Sequence, residues 1–125
     1  MIPTNRAPPV QTPVEPKRLQ LWQALSDLFL DTEIDDTMIV AIARVVRDTG
    51  YPAAEVHRAL WGEVFPVLAP NLRSVAGTWS GWSDAWLLDH LRVHAGPVQR
   101  PRGRVADAIA HDWARVAAQL PAEFA

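Results

Sequence analysis

The chain has 125 residues, which suits one domain, and its 49% hydrophobic and 21% charged residues give a globular balance rather than a disordered or collagenous one. It has no cysteine, which excludes disulfide scaffolds, thiolate zinc sites, iron–sulfur clusters and a cysteine nucleophile. A net charge of −2 gives no electrostatic case for a general binder of DNA or RNA.

The first sixteen residues carry Pro3, Pro8, Pro9, Pro13 and Pro16. Proline fixes φ and removes a donor, so residues 1–16 are expected to form a disordered leader ahead of a helical domain at 17–125. The leader has no apolar core of a secretory signal, and no apolar run in the chain approaches the ~20 residues that span a bilayer. A cytoplasmic protein is the expectation.

Leu21, Trp22, Leu25, Leu28 and Phe29 fall on one face at a 3.6 period, and Pro16 suits a first-turn position, which predicts a helix over about 16–30. A second helix opens near Asp35, buries Ile39, Ile42, Ala43 and Val46, and stops at Gly50. A third starts at Pro52 with Val56, Leu60 and Val64 on its face and is expected to end at Pro66 and Pro70. The apolar but aperiodic stretch from Pro66 to Ser83 holds Trp79 and Trp82. Each indole would expose roughly 150–250 Å² if left free, so this Trp-rich loop is expected to pack across the helices. Ser83 reads as the N-cap of a fourth helix carrying Trp86, Leu87, Leu88 and Leu91 to a stop at Gly96-Pro97. After a basic hinge at 100–104, a fifth carries Val105, Ile109, Trp113, Val116 and Leu120. The expected fold is a single all-α domain of about five helices.

The chemistry-bearing residues are few. Asp27, Asp31, Glu33, Asp35 and Asp36 put five carboxylates into ten residues with no compensating base. Such a run can cap helices, dock a basic partner, hold a hard cation or serve acid–base chemistry. A calcium loop fails, because its glycine and bidentate glutamate positions are Asp36 and Ile42. His90 and His94 stand at i, i+4 and could share a metal on a helix, with His111-Asp112 completing the set. The glutamate of HExxH is absent, however, and histidines near a helix C-terminus are commonly exposed. No GxSxG elbow and no phosphate-cradling glycine loop is present. Arg92, Arg100, Arg102 and Arg104 form a modest basic group, read as a solvated hinge or as an internal complement to the acidic run. Trp79, Trp82 and Trp86 are either a lid on a small core or a partner-binding platform.

The segments ALSDLFLDTEID (24–35) and LWGEVFPVLAPNLRSVAGTWSGWSDAWLLDHL (60–91) are similar to a family of small bacterial all-helical proteins known only as a domain of unknown function. The stretch of the form PVLxPNLxSVAGxWxGW is the specific part of the resemblance, which covers roughly residues 20–92. It brings no catalytic residues. In size and style such families resemble the immunity proteins that bacteria keep beside secreted toxins.

The residues together support a binding protein rather than an enzyme, without cofactor or metal and without nucleic-acid or membrane partners. The concrete form is an immunity protein that blocks a cognate toxin sterically. Asp27, Asp31, Glu33, Asp35 and Asp36 would steer and dock a basic surface, with Trp79, Trp82 and Trp86 as the apolar anchor. The alternatives are a small enzyme using the carboxylates with His90 and His94, or a structural adaptor.

Overall fold

Helix α1 (Pro16–Ser26) begins with proline in its first turn, where the missing N–H has no intrahelical partner to lose. In the computed structural model, which describes residues 14–73 and 81–125, α1 runs on through a single 3₁₀ turn at Asp27–Phe29. Its inward face carries Leu21, Trp22 and Leu25, all with no exposed surface. Burying an indole of this kind removes roughly 150–250 Å² from water, or about 4–6 kcal/mol at ~25 cal/mol per Å².

Helix α2 (Asp36–Thr49) is delimited by its own local chemistry. The Asp35 carboxylate accepts the backbone N–H of Met38 at 2.9 Å, and Gly50 closes the far end at φ 76°, a left-handed conformation that favours glycine. Ile39, Ile42, Ala43 and Val46 are buried, as their spacing predicts.

The third helical rod departs from expectation. It starts after Pro52 as α3 (Ala53–Arg58), widens into a π-helical stretch (Ala59–Val64) and continues as α4 (Phe65–Arg73). Pro66 and Pro70 therefore do not end it. A proline in a regular helix crowds the carbonyl four residues back. For Pro66 that carbonyl belongs to Gly62 inside the wider π stretch, and Pro66 itself occupies the second position of the resumed α-helix, which tolerates it. Pro66 and Pro70 are both exposed, so neither ring displaces core side chains.

Helix α5 (Asp84–His90) opens as predicted, with Ser83 Oγ accepting the Trp86 N–H at 3.1 Å. It stops at Leu91 (φ −98°, ψ 150°) instead of reaching Gly96. Leu91 turns fully into the core, while Leu88, expected on the apolar face, stays 39% exposed. An irregular strap follows from 91 to 103, and α6 (Arg104–Ala117) completes the fold with Ala106, Ile109, Trp113 and Val116 inward. No strand occurs among the described residues.

One core runs through all five helical rods. Helix α1 packs on α2, on the π stretch and on α5, while α6 covers α2 and α4. The expected disordered leader lies outside the described residues up to residue 13. Of the expected Trp-rich loop, residues 66–73 are helix and 74–80, with Trp79, lie outside them. No described helix is long and apolar enough to cross a membrane.

Candidate functional site

The acidic run does not form one surface. Asp35 is spent as the N-cap of α2. Asp36 is paired with Arg115, whose Nη2 lies 2.9 Å from its Oδ1 and whose Nη1 donates to the Ile34 carbonyl at 2.8 Å. The hydrogen bond to Asp36 raises the Arg115 pKa above its ordinary value. The cation that answers the acidic run is therefore on α6. It is not the 100–104 hinge, where Arg100 instead meets Asp107 at 3.3 Å. Arg92 folds back over the end of α5, donating to the carbonyls of Asp89 at 3.0 Å and Leu91 at 2.8 Å.

Glu33, Asp35 and Asp36 line one shallow depression with Asp112 and Arg115. Asp31 and Glu33 are exposed, and neither makes a hydrogen bond or ion pair among the described residues. Ile34 between them and the cap is 5% exposed, so the loop is held from beneath. Asp27 stands apart, in a groove with Gln23 and Asp84. Burial raises its carboxyl pKa.

The aromatic group is partly as expected. Trp82 and Trp86 are half-buried with ring centroids 6.1 Å apart, and the His90 ring stacks on Trp86 at 3.8 Å and 12°. His90 Nδ1 donates to the Trp86 carbonyl at 2.8 Å. Trp82 and Trp86 border a second depression with Leu68, Pro70 and Asn71. Gln23 of α1 ties this corner down through 2.9 Å to the Trp82 carbonyl and 2.7 Å to Asp84.

His90 and His94 do not share a helical face, because α5 ends between them. No group of three or more metal-ligating side chains occurs among the described residues.

Sequence reasoning missed the most connected group in the molecule. Glu63, within the π stretch, is 2% exposed and accepts four hydrogen bonds. Arg18 donates Nε at 2.9 Å and Nη2 at 2.6 Å, Trp22 donates Nε1 at 2.8 Å, and the His94 backbone N–H donates at 2.7 Å. Arg18 also reaches Glu55 at 2.8 Å, and Glu55 in turn receives Arg58. Burial alone would lower the Arg18 pKa, but the bonds to Glu63 and Glu55 outweigh it and hold the guanidinium charged. The signal was present in the sequence. Val56, Leu60 and Glu63 stand at i, i+4 and i+7, so Glu63 lies on the core stripe itself. A carboxylate so fully satisfied is structural chemistry, without a free lone pair aimed at solvent.

The fold and these surfaces define a small all-α domain with a π-helical stretch in its central rod, fastened by a buried ion-pair network. The chain belongs to the family described as Domain of unknown function (DUF7079), whose family model matches residues 16–120. The match includes α6, which the resemblance read from the sequence had left outside. No curated protein and no solved structure matches the chain.

Proposed function

We propose that this domain is a protein-binding module that captures a partner with a basic surface, in its most concrete form an immunity protein that occludes a cognate toxin. The observation that carries the reading is the 31–36 loop. Asp31 and Glu33, which no described residue pairs, are exposed on a segment pinned by buried Ile34, the Asp35 cap and the Arg115 clamp. A binding surface ordered beforehand loses less entropy on association, and exposed like charge steers an opposite partner. The half-buried Trp82 and Trp86 supply rigid apolar area of the kind that dominates interface energetics.

The test is affinity capture from a lysate of the source organism with wild type, Asp31→Lys/Glu33→Lys and Trp82→Ala/Trp86→Ala. The proposal expects one stoichiometric partner with a basic face, lost from the charge-reversed variant, and relief of the partner's toxicity on co-expression. Capture that both variants leave unchanged would overturn it. The charge reversal spares Asp35 and Asp36, so it leaves the helix cap and the Arg115 pair intact.

A further inference from the structure

Helix α1 has a second face. Pro16, Leu19, Gln20, Gln23, Ala24 and Asp27 follow one another at i, i+3, i+4, i+7, i+8 and i+11, and together they floor a groove. Val45 of α2 and Asp84 of α5 stand beside it, so the groove runs along α1 between two neighbouring helices. The eleven residues from Pro16 to Ser26 rise about 16 Å, the length of three helical turns. Leu19, Ala24 and Val45 give it apolar walls, and Gln23 fixes one side through Trp82 and Asp84.

The charge in this groove is of one sign. Among the described residues that line it, Asp27 and Asp84 are the only ionisable groups. Asp84 is met by Gln23, whereas no hydrogen bond or ion pair reaches the Asp27 carboxylate among the described residues. A half-buried carboxylate without a donor costs stability unless something else supplies the countercharge.

We infer that this groove receives an amphipathic helix of a partner protein, about three turns long, which lays small aliphatic residues along Leu19 and Ala24 and sets an arginine or lysine against Asp27. The inference rests on the reading of the domain as a protein-binding module and names a contact for it outside the 31–36 loop. Helix-in-groove docking with aliphatic positions at i, i+3 or i+4 and one fixed charge fits a slot of this length and lining.

The experiment is selection of random 14-residue peptides displayed on phage against the full chain, followed by affinity measurements on Asp27→Asn and Gln20→Trp. Gln20 is exposed, so a tryptophan there fills the groove without entering the core. Asp27→Asn relieves an unpaired charge and should not lower the melting temperature, which separates a binding effect from unfolding. Enriched peptides should combine spaced aliphatic residues with an arginine or lysine and lose about tenfold or more in affinity on either variant. No enrichment, peptides without a basic residue, or equal binding to both variants would overturn the groove. So would displacement of the selected peptides by a synthetic peptide of residues 1–13, which would assign the groove to the chain's own N-terminus. A natural partner captured equally well by Asp27→Asn and Gln20→Trp, but lost on Asp31→Lys/Glu33→Lys, overturns the groove and leaves the module standing.

Discussion

Glu63 Oε2 lies 2.7 Å from the backbone nitrogen of His94, and this bond joins the π turn of the central rod to the strap that follows α5. The same oxygen receives Arg18, so a buried charge and a loop position depend on one carboxylate. Arg58 adds a second tie, donating Nε to the Gly96 carbonyl at 2.9 Å. Gly62 adds a third, since a Cβ there would meet Val98 Cγ2 at 2.7 Å.

Glu63→Gln should be among the most damaging single substitutions in the chain. It leaves the Arg18 guanidinium buried with only Glu55 as counterion and gives up two of four hydrogen bonds, because each Glu63 oxygen accepts two and an amide NH2 accepts none. Breaking a buried pair by removing one partner costs about 3–5 kcal/mol. Urea unfolding followed by circular dichroism measures this, and a loss below about 1 kcal/mol would show that the network contributes little.

Gly62→Ala should loosen the strap without unfolding the helices. The new methyl group would overlap Val98, a stiff β-branched side chain, and crowd the His94 ring, whose Cγ lies 3.3 Å away. Overpacking of this kind costs about 1–3 kcal/mol, against the ~1 kcal/mol that alanine gains over glycine in a helix. Amide hydrogen exchange should quicken at His94, whose N–H donates to Glu63, while α1 and α2 stay protected. Adding Val98→Ala should restore the protection.

Within the acidic run, stability and binding should separate by residue. Asp35→Ala removes an N-cap and should cost about 1 kcal/mol. Asp31 and Glu33 make no hydrogen bond or ion pair among the described residues, so Asp31→Ala and Glu33→Ala should stay within about 0.5 kcal/mol of wild type. Thermal unfolding of the three variants gives the order. If Asp31→Ala proved as costly as Asp35→Ala, the loop would have contacts beyond those described.

Asp27 makes a prediction in pH. Its folded-state pKa is raised by burial, so between the ordinary carboxyl value and the raised one the native state binds more protons than the unfolded chain. Stability from this group is therefore present at acid pH and is lost as pH rises through that interval. Asp27→Asn removes the penalty, so its stability relative to wild type should grow from pH 3 to pH 6. A constant difference in urea midpoints across that range would contradict the assignment.

Where a signal acts over three or four residues, the sequence alone was sufficient. Pro16 in the first turn of α1, the Asp35 cap on Met38, Gly50 in left-handed conformation and the Ser83 cap on Trp86 stand where local reasoning puts them. The apolar stripes of α2 and α6 did too, because a 3.6 period and one buried face are properties of a single helix. The tertiary structure decided everything that joins distant residues. Arg115 reaches Asp36 across 79 positions, Arg18 meets Glu63 across 45, and His94 meets Glu63 across 31. The Arg115 contact set Asp36 apart from its neighbours in the acidic run, while Asp35 serves as a local cap and Asp27 lies in a separate groove. Together with the inward turn of Leu91, the contacts at Glu63 accompany the early end of α5 and separate His94 from the helical face of His90. Periodicity records which face of a helix is buried, and it carries no information about which charge on another helix will meet it there.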